Sequence, residues 1–206
     1  MDDTGFPVGF FDRLDPSPDA DFYRPPRLVT HIDDAAIAAV SDLYDELGVG
    51  GSVLDLMSSW VSHLRRPPAR LVVLGMNDEE LRRNPMASER VVHDLNAEPR
   101  LPFPDADFDF ALCCVSVDYL VDPVGVFREV ARTLRPGGTF VCTFSNRLFS
   151  TKAVRGWLAA DDDGRMAIVE RYFVASGRWQ APVAQRRTPL AHRGDPLLAV
   201  WARTPV

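Results

Sequence analysis

The sequence is poor in lysine and cysteine. Lys152 is the only lysine among the 23 basic residues of this 206-residue chain, and this bias says little about chemistry. The three cysteines, Cys113, Cys114 and Cys142, are odd in number and lie in apolar segments, so we expect free buried thiols and no disulfide framework. No cysteine or histidine pair has zinc-site spacing, so no metal is expected.

A surplus of basic charge is also absent. The net charge is −6 and the isoelectric point about 5.2, which excludes a general nucleic-acid binder, because such proteins need a concentrated basic surface. The longest apolar stretch, residues 110–121, is too short to span a bilayer. Residues 1–4 include two acidic residues, whereas a signal peptide begins with basic ones. We therefore expect a cytoplasmic protein without membrane or nucleic-acid partners.

Short apolar segments separated by helical patterns are present instead. The length fits one domain. Asp33 and Asp34 cap a helix whose apolar spacing runs from Ile37 to Leu47 and ends at Gly48, and further helices fit between several strands, including one after the first. This alternation predicts an α/β fold with a doubly wound, mostly parallel sheet and an antiparallel hairpin formed by the last two strands. The predicted strands are residues 52–56, 71–74, 90–93, 108–115, 139–144, 180–185 and 197–202.

The first part of the chain has no clear period. It is rich in Pro, Asp and Phe, which predicts an irregular arm (residues 1–32) on a domain formed by residues 33–206. The arm either folds over the site as a lid or packs on the sheet edge.

The ends of the predicted strands supply candidate site residues. Ligands of such sheets bind at the carboxyl ends of the strands, so the segments directly after them should converge in space. This convergence predicts a nucleoside-like or small-metabolite site without fixing a reaction. The segments are residues 55–60, 75–77, 94–96, 115–119 and 145–147.

Three motifs in residues 101–147 are more specific. The chain reads Leu-Pro-Phe-Pro-Asp at 101–105, Phe-Asp at 108–109 and Arg-Thr-Leu-Arg-Pro-Gly-Gly at 132–138. Together they resemble the second half of class I S-adenosylmethionine-dependent methyltransferases of type 11, over roughly residues 52–157. The resemblance implies a single-domain, Rossmann-like, seven-stranded sheet with S-adenosylmethionine as cofactor.

The resemblance also implies cofactor residues. Asp55 would hold the methionine part, and Asp94 with Leu95 would hold adenine. Asn77 stands where the family has a ribose-binding acid, and an amide both donates and accepts. Other interpretations stay open: Asp55 and Asn77 as helix caps, Asp94 as a turn residue and Gly75 as a turn glycine. The full set is Asp55, Met57, Ser58, Ser59, Gly75, Met76, Asn77, Asp94, Leu95 and Val115.

The loop after the first strand lacks the family's glycines, which let the backbone pass close to the cofactor. Met57, Ser59 and Val61 occupy their positions. Two outcomes are open: binding in a modified geometry, or loss of the cofactor. Trp60 and His63, at helical spacing, are expected to pack and not to catalyse.

Methyl transfer needs alignment and exclusion of water, and a base only where the nucleophile must lose a proton. Tyr23, His31, Asp118 and Tyr119 are the catalytic candidates, and only His31 has an ordinary pKa suited to base chemistry. Asn146 and Arg147 are expected to bind substrate, since a guanidinium pairs with carboxylate or phosphate.

The hypothesis is thus a methyltransferase acting on a small-molecule acceptor, as a monomer or homodimer, since no recognition domain for a macromolecule is evident. The alternative is a cofactor-binding relative that has lost transfer or diverts the cofactor to a cyclisation or lyase reaction.

Overall fold

The computed structural model describes residues 5–191 and 193–206, so the expectations for residues 1–4 lie outside it. One seven-stranded sheet has the order β3-β2-β1-β4-β5-β7-β6. Pairs among β1 to β5 are parallel, whereas β7 is antiparallel to both β5 and β6. The predicted doubly wound sheet with its antiparallel hairpin is confirmed. The strands are β1 Ser52–Leu56, β2 Arg70–Gly75, β3 Glu89–Val92, β4 Phe108–Cys114, β5 Leu134–Phe144, β6 Val183–Arg186 and β7 Leu198–Arg203.

Aspartate caps begin the three longest helices. The side chain of Asp33 accepts from the backbone N–H of Ala36 at 2.9 Å, as the sequence predicted, and Asp122 and Asp161 cap their helices in the same way. The helices are α1 Asp19–Phe22, α2 Asp34–Glu46, α3 Asp78–Arg82, α4 Pro123–Thr133, α5 Arg155–Leu158 and α6 Asp162–Ser176, with a 3-10 helix at Val117–Tyr119.

The sheet is covered on both faces. Helices α4 and α6 pack on the face that carries Leu54 and Leu56, whereas α2 packs on the face that carries Val53. This alternation follows from the two-residue period of a strand. β5 begins at Leu134, earlier than expected, because Leu134 pairs with Phe108 before a shift in register.

The expected helix between β1 and β2 is wrong. Residues 57–69 form an irregular loop, because Ser59 and Ser62 bond to distant partners and not to a helical backbone. Ser59 donates to Glu80 Oε2 at 2.5 Å, and Ser62 accepts from Asn84 Nδ2 at 2.8 Å. Asp55 therefore caps no helix, Trp60 and His63 share no helical face, and residues 65–68 link a loop to β2.

The arm is partly core. Phe6 is buried and packs against Phe10, Phe11 and Tyr172, with ring centroids 4.9–5.4 Å apart. A Cβ on Gly156 would lie 2.1 Å from Phe10 Cε2, so this contact requires glycine. Residues 19–31, which we call the roof, continue from this anchored segment across the carboxyl edge of the sheet.

No helix in the described parts of the chain is long and apolar enough to cross a membrane.

Candidate functional site

A cavity of about 320 Å³ opens at the carboxyl ends of β1 to β4, under the roof. This is the size of a small-molecule site. Asp118 and Asn146 lie outside its wall. The lining includes all ten residues expected at the cofactor, Asp55, Met57, Ser58, Ser59, Gly75, Met76, Asn77, Asp94, Leu95 and Val115, together with Tyr23, His31, Tyr119 and Arg147.

Asp55 provides a buried carboxylate at the end of β1. Its side chain accepts from Ser58 Oγ at 2.7 Å, and burial raises the pKa of Asp55 to about 6, against the effect of hydrogen bonds from Ser58 and Ser62. No ion pair reaches Asp55 from the described residues. A cationic ligand group would therefore stabilise the ionised form that burial disfavours.

Three of the four described non-glycine residues with left-handed backbone lie at the cavity. Met57, His63 and Val115 line it with φ of 52°, 53° and 47°, a conformation that costs a non-glycine residue about 1–2 kcal/mol. Hydrogen bonds hold the turns: the N–H of Ser58 donates to Leu74 O at 2.8 Å, and the N–H of Val115 to Thr143 O at 2.7 Å. Such strain is typical of functional sites.

The end of β2 is tied to the roof. Asn77 caps α3 by accepting from the N–H of Glu80 at 3.1 Å, and its Nδ2 donates to the carbonyls of Tyr23 and Arg24, each at 3.0 Å. Both amide hydrogens are therefore used, and a second lone pair remains on Oδ1. A Cβ on Gly75 would lie 2.3 Å from Ser58 O, so glycine is required by the protein's own backbone.

Asp94 stabilises a turn with one carboxylate oxygen and leaves the other without a hydrogen bond from the described residues. Its Oδ1 accepts from the N–H groups of Asn96 and Ala97 at 2.9 and 3.2 Å. No described residue donates to Oδ2 of Asp94, and Asp94 lines the cavity. The turn role is thus compatible with an additional ligand contact, and Leu95 beside it is buried.

Asp19 joins the roof to the segments after β3 and β5, and through Asn96 to the segment after β4. It accepts from Arg13 Nη1 at 2.7 and 2.8 Å and from Asn96 Nδ2 at 2.8 Å, and Lys152 Nζ lies 3.2 Å away. Asn96 also donates to the carbonyl of Tyr119 at 2.9 Å. Although burial opposes it, hydrogen bonds from Asn96 and Arg13 lower the pKa of Asp19. The unique lysine is therefore a fully buried anchor of the arm.

The acceptor candidates differ in their chemistry. Burial lowers the pKa of His31, so its imidazole is neutral at pH 7 and able to take a proton. Burial raises the pKa of Tyr23 and Tyr119, so neither is a base at that pH. The hydroxyl of Tyr119 accepts from the N–H of Phe149 at 2.9 Å, and the two rings stack at 5.9 Å.

Asp118 and Asn146 are not brought to the cavity. Asp118 is buried in the 3-10 helix, and burial raises its pKa to about 8. Asn146 lines a separate shallow depression with Arg147, whose Nε donates to Asp195 Oδ1 at 2.7 Å. Arg147 thus borders both hollows.

Several cavity residues escaped the sequence analysis. Glu80 and Phe149 lie a few positions beyond the segments chosen as strand ends. Arg27 lies in a part of the arm that is dense in polar and aromatic residues, but no role of its own was predicted for this arginine. His63 was expected only to pack, but its ring borders the cavity and burial lowers its pKa. The loop length after each strand, more than the strand itself, decides which side chain reaches the site.

Comparison with known proteins matches the chain to methyltransferases. A family model described as a methyltransferase domain matches residues 47–142. The chain is 28% identical over 167 residues, 75% of its length, to methyltransferase GfsG of Streptomyces halstedii, covering 56% of that protein. It is 31% identical over 133 residues, 59% of its length, to dimethylglycine N-methyltransferase of Parasynechococcus marenigrum, covering 47% of it. The chain spans about half the length of these curated relatives.

These matches support a class I S-adenosylmethionine-dependent methyltransferase.

The same fold occurs in solved structures of this family. One is the 1,6-didemethyltoxoflavin-N1-methyltransferase of Burkholderia thailandensis, solved with 1,6-didemethyltoxoflavin and S-adenosylhomocysteine. Its TM-score is 0.61 at 19% identity, over 84% of this chain and 79% of that one. Within this methyltransferase domain, residues 57–69 form a loop where the sequence predicted a helix.

Proposed function

We propose that this methyltransferase transfers a methyl group from S-adenosylmethionine to a small-molecule acceptor. The proposal rests on one observation: two carboxylates that have no ion-pair partner among the described residues, Asp55 and Asp94, converge on one cavity of small-molecule size. The bound cofactor supplies an electrophilic methyl group. Everything else asked of the protein is binding, alignment and exclusion of water.

Asp55 and Asp94 fit the two ends of the cofactor. The buried Asp55 carboxylate, supported by Ser58, suits the ammonium of the methionine part. The free Oδ2 of Asp94 suits an exocyclic amine, while Leu95 packs beside it. Asn77 retains one lone pair on Oδ1 for a ribose hydroxyl, since its amide hydrogens already hold the roof.

The remaining cofactor contacts surround these groups. Met57, Ser59, Met76 and Val115 line the same cavity, and glycine at position 75 lets the Ser58 backbone approach β2. We infer binding in a modified geometry, because the left-handed turn at Met57 reproduces a glycine-like backbone without glycine.

In this proposal His31 acts as the general base for an acceptor that must lose a proton. Its neutral ring lies against Phe149, with centroids 5.4 Å apart. Tyr23, Tyr119 and Arg147 form the surrounding wall. Asp118 and Asn146 stay predictions, and a direct role for either requires movement toward the cavity.

The roof completes the site, as part of an arm that we propose to extend over residues 1–32. Trp60 Nε1 donates to the carbonyl of Val29 at 3.2 Å, and Glu80 accepts from the N–H of Arg27 at 2.6 Å. These bonds close the roof onto the loops after β1 and β2, so the arm shields the cavity from water.

Calorimetry tests cofactor binding. We expect S-adenosylmethionine and S-adenosylhomocysteine to bind, and Asp94→Ala to weaken both by about 1–3 kcal/mol, the effect of leaving a buried polar partner unsatisfied. Asp105→Ala, which removes an exposed carboxylate paired with Arg132, is the matched control. Absence of binding at millimolar ligand would contradict the proposal.

Transfer is tested separately with methyl-labelled cofactor and small-molecule extracts. Label recovered in a new small molecule supports methyl transfer. Consumption of the cofactor without transferred label would favour a cyclisation or lyase reaction, and binding without consumption a protein that has lost transfer.

A further inference from the structure

Arg27 is a cation of the cavity wall without an acidic partner. Its Nη2 donates to Phe22 O at 2.9 Å and its Nη1 to Pro25 O at 3.4 Å. No carboxylate of the described residues forms an ion pair with it, whereas Arg13 and Arg147 pair with Asp19 and Asp195. A guanidinium with unused N–H groups in a cavity suits an oxyanion.

The guanidinium lies on the β4 and β5 side of the cavity. Its Cζ is 4.6 Å from the ring centroid of Phe22 and 5.3 Å from that of Phe149. Phe149 stacks on Tyr119, and these two residues follow β5 and β4. The backbone N–H of Arg27 is fixed by Glu80, so the side chain extends from the β2 end toward this aromatic surface.

Charge divides the cavity. Asp55, Glu80 and Asp94 face it from the loops and helix that follow β1, β2 and β3. On the other side the carboxylate of Asp19 is already paired with Arg13 and Lys152. On this second side a cationic acceptor would therefore meet Arg27 and no unpaired acid among the described residues that line the cavity.

We propose that the acceptor carries a carboxylate or phosphate bound by Arg27, with its apolar part against Tyr119 and Phe149. This rests on the function proposed above and specifies its substrate class. His31 lies against the same Phe149 ring, so an anion held at Arg27 brings the rest of the acceptor to the base.

The test uses the protein saturated with S-adenosylhomocysteine. Benzoate and its neutral isostere benzamide are titrated in, with binding followed by calorimetry or NMR. The wild type is expected to bind benzoate about tenfold more tightly than benzamide, the scale of one charge-assisted interaction. Arg27→Met keeps the stem on the rings but should lose the preference, and Arg27→Lys should keep part of it.

Arg24→Met is the matched control. Its side chain is exposed and pairs with Asp21 on the outside of the roof, so it should behave as wild type. All variants should bind S-adenosylhomocysteine with unchanged affinity, which also shows that they are folded.

Three results would overturn the inference. The first is no binding of benzoate to the wild type, and the second is equal binding of benzoate and benzamide. The third is weaker S-adenosylhomocysteine binding by Arg27→Met with unchanged binding of 5′-methylthioadenosine, which lacks the amino-acid part; this would assign Arg27 to the cofactor's own carboxylate. Failure of the wild type to bind S-adenosylhomocysteine is distinct, because it overturns the proposed function itself.

Discussion

The carboxyl edge of the sheet is held together differently over β1 to β3 than over β4 and β5. On the first side, loop conformation depends on single hydrogen bonds and on two left-handed residues, Met57 and His63, whereas Val115 is the one such residue directly after β4. On the second side, the loops are fixed by a buried charge network and by stacked rings, including Asp19, Lys152 and Phe149.

This difference separates the side proposed to bind the cofactor from the side proposed to position the acceptor. The strained side carries the polar groups proposed to bind the cofactor, and strained residues commonly cluster at ligand sites. The charged and aromatic side is anchored through the arm, which makes it a rigid wall against which an acceptor is positioned. Substitutions on the two sides should therefore differ in kind.

Lys152→Met should have the largest effect. It leaves Asp19 buried beside only one cation, and breaking a buried pair costs about 3–5 kcal/mol. The free energy of unfolding by urea measures this loss. Arg155→Met removes an exposed pair with Asp12 and should cost under about 1 kcal/mol. Similar losses for both variants would show that the buried network does not anchor the wall.

Asp55→Asn should act in the opposite direction. Because burial raises the pKa of Asp55 from 3.8 to about 6, the associated stability is present below pH 4 and is lost as the pH rises through 6. At pH 8 the variant should be more stable than wild type by about 3 kcal/mol, since one pKa unit is worth about 1.4 kcal/mol, and below pH 4 the difference should largely vanish. Urea unfolding across this range measures it.

The same variant should bind S-adenosylhomocysteine more weakly, because the carboxylate is lost. Gain of stability with loss of affinity is the expected signature of a ligand-binding group. A variant less stable than wild type at pH 8 would contradict the assigned cause of the shift.

Asn77→Ser separates the roof from the helix cap. Serine still caps α3 but cannot donate to the carbonyls of Tyr23 and Arg24, so about 1 kcal/mol is lost locally. Hydrogen exchange should quicken in the roof while the core strands stay protected. Equal protection of the roof in both proteins would show that these two bonds do not hold it.

Met57→Gly and Met57→Ala measure the smallest difference. Both remove the same packing contacts, but only glycine relieves the left-handed backbone, so the glycine variant should be more stable by about 1 kcal/mol. At ordinary positions alanine is the more stable of the two. The ordinary order at position 57 would mean that this loop relaxes to another conformation.

Local patterns predicted most of the fold. The apolar segments predicted the buried strands β1, β2, β4, β5 and β7, whereas β3 and β6 are largely exposed. Asp33 identified the start of α2 through a bond to Ala36, three positions away. The loop after β1 could not be predicted in the same way. Ser59 and Ser62 are held by Glu80 and Asn84, which only the folded sheet brings near.

The candidate site shows the same limit. Strand ends identified the residues beside the backbone, but the 3-10 helix after β4 directs Tyr119 to the cavity and buries Asp118 elsewhere. The role of Arg27 depends on Phe149, far away in sequence, and no local pattern signals such a contact.

The anchoring of the arm has a consequence for synthesis. Ser17 is bonded by Lys152 across 135 positions, and Phe6 rests on Tyr172. During translation the segment that emerges early must therefore wait, unburied, until nearly all its partners have left the ribosome. We expect the nascent chain to form its sheet first and to become competent for ligand only at the final docking step.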